Sequence, residues 1–349
     1  MNEITFICPD DWHVHLRDNT YLERTVKDTA HAFHRAIVMP NLVPPVTTVD
    51  LAAAYLKRIK THIPRESTFT PLMTLYLTDT LSPSVIEEAK QSNIIVACKL
   101  YPAGATTHSA NGVRDIHKIY PLLETMQALQ IPLLVHGETI DPNVDIFDRE
   151  AVFITEQLIP LCKNFPTLPI VFEHISTKIA TEFILSGPEN LAATVTPHHL
   201  LLNRNDLLVG GLRPHHYCLP IIKSPADQAA LIKAVLSGNP KFFLGSDSAP
   251  HTQSSKESCC GSAGIYSAFT CIELYAAIFE QHHALNKLEN FASRFGAEFY
   301  GLPINTQTIT LIKKPWIIPA SLPFGNEVVI PLFAGKTIHW QIKNSEKHP

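Results

Sequence analysis

Eight short runs rich in β-favouring residues, separated by stretches that read as helix, recur along this 349-residue chain. They are "WHVHL" (12–16), "AIVMP" (36–40), "FTPLMTLYLT" (69–78), "IIVACKLYP" (94–102), "IPLLVHGE" (131–138), "PIVFEHIS" (169–176), "LAATVTPHH" (191–199) and "KFFLGSDS" (241–248). Between them lie "TVDLAAAYLKRIK", "PSVIEEAKQ", "IYPLLETMQALQ" and "AVFITEQLIPLCKNF". "SPADQAALIKAVLSG" is the clearest helix, with Ser224 placed to cap it, Pro225 in its first turn and Gly238 after its end. Strand–helix alternation calls for a parallel sheet, and eight units fit a closed α/β barrel of the (β/α)8, or TIM, type. An open doubly wound sheet would ordinarily show a G-x-G-x-x-G turn after its first strand, and none is present. No internal repeat or low-complexity linker divides the chain. The expected organisation is one domain over 1–349, with the barrel at about 8–300. A C-terminal extension at about 301–349, Pro-rich and expected to be irregular with a few short strands, packs outside it.

Composition narrows the function. A net charge of −4, a pI near 6.5 and the lack of any Lys/Arg block argue against a nucleic-acid surface. The first residues lack the basic and apolar regions of a signal peptide, and the apolar runs are too short to span a bilayer. Seven cysteines without a C-x-x-C pair suggest neither a disulfide framework nor a zinc knuckle, so a reducing cytoplasm is expected, with no membrane partner. Histidine is plentiful, at 18 residues, and its placement carries the argument.

In barrels of this kind the chemistry gathers at the C-terminal ends of the strands. The first run, "DDWHVHLRD", reads with a period of two, which sets His13, His15 and Arg17 on one face and Trp12, Val14 and Leu16 on the other. Asn41 follows the second run and Lys99 ends the fourth. His136 and His174 end the fifth and sixth, His198 and His199 the seventh, and Asp247 the eighth, with His251 after it. Each alone is unremarkable: a strand-end histidine is usually a satisfied polar group, a lone lysine an ion-paired one, and Asp247 could cap a turn. Together they form a set of imidazole and carboxylate groups suited to zinc and its neighbours, enough to hold two ions that activate water. Lys99 is the odd member, because an ammonium beside two dications loses its proton. A neutral amine can take up carbon dioxide as a carbamate, which is a carboxylate on a long arm. The other reading, a Schiff-base lysine, leaves the histidines without a role.

With this set complete, the chain resembles the amidohydrolase superfamily and, within it, the shorter class II dihydroorotase family. The resemblance covers about residues 8 to 335. It rests on "DDWHVHLRD", "VMPNLVPPVTT", "CKLYPAGATTHSANGV", "LLVHGE", "FEHIST", "VTPHHLLLNRND", "CLPIIKS" and "GSDSAPH". It implies reversible cyclisation of N-carbamoyl-L-aspartate to L-dihydroorotate and water, in de novo pyrimidine synthesis, by a cytoplasmic homodimer. It also implies two zinc ions per subunit, the first held by His13, His15 and Asp247 and the second by His136 and His174. Lys99, as N6-carboxylysine, and a hydroxide would bridge them, and Asp247 would be the catalytic base and then acid. Arg17, Asn41 and His251 would clamp the substrate α-carboxylate. Thr106 and Thr107 would belong to a mobile loop over the site, and Leu219, Ala263 and Gly264 would offer backbone contacts to the ring. Arg17 suits its role because its guanidinium can meet a carboxylate with two parallel hydrogen bonds.

His198 and His199 are expected to be structural or supporting, His108 solvent-exposed, and His31, His34, His62, His282 and His283 surface residues of helices. Ser246 stands where the family more often has threonine, and "SAGIYSAF" after residue 261 departs from the family's usual sequence around Ala263 and Gly264. Two other readings compete: another cyclic-amide hydrolase of the hydantoinase or allantoinase kind, and a non-catalytic scaffold. The longer hydantoinase-like chains build an extra β-domain from both termini. A first ligand at position 13 leaves little sequence for one. A scaffold would be expected to have lost its metal ligands.

Overall fold

The computed structural model describes residues 2–343, so the end of the C-terminal extension, 344–349, lies outside the described residues. A first strand, β1 (Glu3–Ile7), stays outside the barrel. The eight that follow are β2 (Asp10–Val14), β3 (Arg35–Val38), β4 (Thr70–Tyr76), β5 (Ile95–Leu100), β6 (Leu133–Val135), β7 (Ile170–Phe172), β8 (Leu191–Val195) and β9 (Phe242–Leu244). They pair in chain order as one parallel sheet. The ring closes between its ends. Val14 and Ser248 form a parallel bridge, the His15 N–H donates to Ser248 O (3.0 Å), and the Asp247 N–H donates to His13 O (2.9 Å). Closure therefore brings the "HVH" of the first run against the "SDS" of the eighth.

Two sets of apolar side chains hold the barrel. Trp12, Ile37, Met39, Ala97, Leu134, Val171, Ala192 and Phe243 fill its interior. Alternate residues such as Ala36, Val38, Cys98 and Leu133 face outward onto the helices, the inward–outward alternation that a filled barrel requires. Trp12 departs from the expected alternation: it packs inside with the strand residues of that interior set, while Val14 and Leu16 pack outside. The register of β2 against β3 shifts between Asp11 and Val14, and this bulge resets the period of two.

The helices form where their ends are written. Helix Val49–Lys60 starts at Thr48, whose hydroxyl accepts from the Leu51 N–H (3.2 Å), and it buries Ala52, Tyr55 and Ile59 along one stripe. Helix Pro225–Leu236 has the expected Ser224 cap, closed into a reciprocal box by Asp227, and Gly238 follows at φ +80.

The C-terminal extension is more regular than its prolines suggest. β10 (Thr308–Ile317) is ten residues long, β11 (Leu322–Phe324) and β12 (Glu327–Val329) form a hairpin, and β13 (Thr337–Ile342) completes the set. β1 and β13 flank β10 in an antiparallel sheet of three strands. Five residues at the N-terminus thus suffice to build a small sheet from both ends of the chain.

Candidate active site

His13 lies within β2, and His15 and Arg17 follow on the segment that leaves it. Asp247 follows β9, His136 follows β6, and His174 lies just beyond β7. Three of these sit at positive φ: Arg17 at +59, His174 at +43 and Asp247 at +40. Side chains rarely adopt such backbone except where the surroundings enforce it, and functional sites are where it concentrates. The enforcement is visible. The His174 N–H donates to Thr194 Oγ1 (2.7 Å), and the Tyr55 hydroxyl donates to Arg17 O. Asp11, a buried residue of β2, accepts from the N–H of both His13 (3.1 Å) and Ser246 (2.8 Å) and from the Ser246 hydroxyl. A serine before Asp247 therefore still supplies the hydroxyl that ties the first and last strands.

His13 Nε2, His15 Nε2 and one Asp247 oxygen form a triangle with sides of 3.2, 3.2 and 3.3 Å. Three ligands at about 2.0–2.1 Å around a tetrahedral zinc ion are separated by roughly 3.3 Å. The donor set fits a metal ion, and all three residues are buried. Asn41 Oδ1 lies 2.8 Å from His15 Nδ1, fixing that ring from behind.

The second set is looser. The His136 and His174 rings stand 4.9 Å apart, and His174 Nδ1 is buried without a hydrogen-bond partner. His136 Nε2 contacts Glu138 Oε2 at 2.9 Å, which leaves Nδ1 as its remaining ligand atom. The group within ligand reach here is His13, Glu173 and His174. Lys99 is fully buried, its Nζ 4.7 Å from the centre of the Tyr101 ring, and it donates to Glu173 Oε2. The other Glu173 oxygen lies 2.8 Å from His13 Nδ1, an ion-pair contact set off-line for a good hydrogen bond.

The charges fit this packing. Burial opposes protonation of His13, but Glu173 and Asp247 outweigh it and raise the ring to about 9. Burial takes His15 down to about 4 against the pull of Asp247. Burial also lowers Lys99 despite Glu173, which favours the neutral amine. Burial works against the Asp247 carboxylate too, yet His13 and His15 hold it well below the usual range, so it stays ionised.

One narrow cavity is lined by His15, Arg17, Asn41, Thr106, Thr107, His136, His174, Leu219, Asp247, Ala263 and Gly264. His13 and Lys99 are buried beside it through Asp247 and Glu173. Among the described residues, the wider hollows on the surface gather no comparable ligand set, so chemistry rather than size marks this one. At its mouth Arg17 Nε donates to Pro250 O (2.8 Å), while Nη2 lies 2.9 Å from His251 Nε2. That same ring nitrogen lies 2.9 Å from Ala263 O. It cannot accept from Arg17 and donate to Ala263 at once, so the pair has donor capacity left for an anion. Burial and Arg17 lower His251 to about 2, so it meets that anion neutral. The 103–112 loop lies closed here. Asn41 Nδ2 donates to Thr107 O (3.1 Å), and the Thr107 hydroxyl donates to Ala263 O (3.2 Å). His108 is exposed, as expected, with Nδ1 3.3 Å from Asn41 O.

His198 and His199 lie on a short helix, Pro197–Leu201, both buried and grouped with Cys218. His199 is held by Thr196 Oγ1 (2.8 Å) and Pro220 O (3.0 Å). His34 lies beyond the helix that ends at Ala32 and contacts Thr68. Sequence reasoning passed over Glu173, Glu138 and Asp11. The available signal was an acidic residue inside an apolar strand run, as in "VFEH".

The amidohydrolase family model matches residues 4–338. The chain is 66% identical to the dihydroorotase of Coxiella burnetii over 346 residues, 99% of each chain. It is 56% identical to that of Teredinibacter turnerae over 342 residues, 98% of this chain and 99% of that one. Its fold is similar to the crystal structure of dihydroorotase from Campylobacter jejuni, with a TM-score of 0.90 and 38% identity over 98% of both chains. It is also similar to Saccharomyces cerevisiae dihydroorotase in complex with 5-fluoroorotic acid, with a TM-score of 0.89 and 34% identity over 98% and 99%. With the L-hydantoinase of Arthrobacter aurescens it shares the fold, at a TM-score of 0.78 and 15% identity, covering 98% of this chain and 85% of that one. Among the described residues, no helix is long and apolar enough to cross a membrane.

Proposed function

The chain belongs to the amidohydrolase family and, within it, to the dihydroorotases, and from that premise we propose how its residues divide the work. It is a cyclic amide hydrolase that carries out the reversible closure of N-carbamoyl-L-aspartate to L-dihydroorotate with loss of water, in pyrimidine biosynthesis. In our assignment His13, His15 and Asp247 would hold one zinc ion and His136 and His174 a second, and Lys99, if carboxylated, would offer both a shared carboxylate. Zinc held there supplies Lewis acidity toward the ring carbonyl and water that is acidic at neutral pH. Support for the first ion is the triangle of ligand atoms, and for the second the unpartnered His174 Nδ1 beside His136.

Asp247 accepts a proton from the attacking water and returns it to the ring nitrogen as the amide opens, and in cyclisation the same transfers run in reverse. Its ionised state and its place on the cavity wall support the role. Arg17, Asn41 and His251 take the substrate α-carboxylate, which matches the donors left free at the Arg17–His251 pair. Thr106 and Thr107 close over the bound ring and exclude water, and Leu219, Ala263 and Gly264 present backbone to it. The proposal extends to a cytoplasmic homodimer, for which exposed Leu208, Val209 and Leu212 offer an apolar patch. Light scattering checks the molar mass.

The observation that carries the assignment is a metal-type triangle set beside a carboxylate-type clamp, with His15 and Asp247 of the one and Arg17 and Asn41 of the other lining one cavity. Its test is turnover of L-dihydroorotate by zinc-replete protein, followed as loss of ultraviolet absorbance, with hydantoin and allantoin alongside. Turnover of dihydroorotate alone is the expected result. Preferential turnover of the uncharged hydantoin would remove the clamp from the assignment.

A further inference from the structure

Among the described residues, Glu173 is the one fully buried carboxylate outside the proposed metal set that touches two of its members, Lys99 through Oε2 and His13 through Oε1. It comes from the end of β7, three strands from β2 and two from β5 around the closed ring, so a single side chain links distant strands across the floor of the site. We propose that Glu173 is a positioning residue that orients the His13 ring through Nδ1 and sets the direction in which the Lys99 carbamate points. The Lys99 half rests on the carbamate assignment above.

The chemistry explains why one contact serves both states of the lysine. The ammonium plus carbon dioxide gives the carbamate and two protons, which leave to solvent. One N–C bond forms, two N–H bonds break, and one C=O electron pair moves onto oxygen. The nitrogen keeps a single N–H. Conjugation makes that nitrogen planar, as in a peptide, so its N–H and its carboxylate carbon diverge in one plane. An acceptor fixed on the N–H side therefore fixes the carboxylate on the other. Glu173 Oε2 already holds Lys99 Nζ, and it can keep that hydrogen bond after carboxylation. On the other arm, a carboxylate against Nδ1 keeps the His13 ring turned so that Nε2 faces His15 and Asp247. Such outer partners commonly set metal affinity by ten- to a hundredfold.

The experiment compares full-length wild type, Glu173→Gln and Glu173→Asp. Each is checked for folding by circular dichroism, then measured for zinc affinity by chelator competition and for carbamate by 13C NMR in 13C-bicarbonate. Expected in Glu173→Gln are a ten- to a hundredfold loss of zinc affinity, a weaker carbamate signal, and an unchanged KM for dihydroorotate at saturating zinc. Glu173→Asp, which keeps the charge, should recover part of both losses, and it carries the test if the glutamine variant does not fold. Zinc affinity and carbamate within twofold of wild type in both variants would overturn the proposal. Absence of the carbamate signal in wild type itself would remove the carbamate assignment and the Lys99 half together, leaving zinc affinity to decide the His13 half.

Discussion

Arg17 is held in place by its surroundings: Pro250 O takes its Nε, Tyr55 donates to its carbonyl, and φ +59 turns it toward His251. Lysine could keep the charge but not the planar fork. Arg17→Lys should raise the KM for dihydroorotate roughly ten- to a hundredfold, the worth of a charge-assisted hydrogen bond, while zinc content stays at wild type. Zinc loss measured on the purified variant would make Arg17 structural instead. Lys256 allows a test by pH. Its Nζ donates to the carbonyls of Tyr217, Ser262 and Gly264, each at 2.7 Å, and so staples the segment bearing Ala263 and Gly264. Burial lowers it from 10.5 to about 8. Between those values the unfolded chain binds a proton that the native protein has released, so this lysine's contribution to stability rises with pH across that window. Urea melts of wild type and Lys256→Met should diverge in favour of wild type by roughly 2 kcal/mol between pH 8 and 10. A flat or falling difference would contradict the burial. At this scale the residue types at strand ends were legible, but Glu173 and Asp11 were not. Nothing in their own neighbourhoods tells that Glu173 would meet Lys99 of β5 and His13 of β2, or that Asp11 would meet Ser246 after β9.

Elements were legible where periodicity and caps agree, as in the Ser224-capped helix and the eight runs that became β2 to β9. They were misread where backbone breaks the period. A bulge in β2 puts Trp12 inside the barrel, and φ +43 at His174 lets it and Glu173 both reach the site from adjacent positions. Alternation cannot foresee either, since both are set by neighbours distant in sequence. The segment after β9 shows how tightly such irregular stretches are specified. Gly264 has φ +147, and a Cβ there would stand 2.3 Å from Ala249 O and 3.0 Å from the His251 ring. Gly264→Ala must therefore displace the strip that lines the cavity opposite Asp247. Its kcat/KM for dihydroorotate should fall at least roughly tenfold, about 1.4 kcal/mol of transition-state stabilisation, with zinc stoichiometry unchanged. Wild-type kinetics would mean that this strip does not meet the substrate.

For the whole molecule, the sequence made a tail of what the structure makes a clasp. β1 precedes the first site histidine by a few residues, yet it pairs with β10, three hundred residues away, and β13 completes that sheet. Phe6, Leu311, Trp340 and Ile342 share one core with Ile272 and Tyr275 of the helix Cys271–Gln281, and the Trp340 indole donates to Glu280 Oε2 (3.1 Å). We therefore propose that the chain, extension included, unfolds as one unit whose barrel cannot be kept folded by the metal site alone. Trp340 is fully buried, far along the chain from every assigned site residue. Trp340→Ala should cost about 3–5 kcal/mol, the usual price of truncating a buried aromatic. A two-state shift of the whole urea transition, read by circular dichroism, should accompany zinc stoichiometry and KM close to wild type in the folded protein. A separate early transition, with the barrel melting at its wild-type midpoint, would show instead that the terminal sheet is an independent appendage.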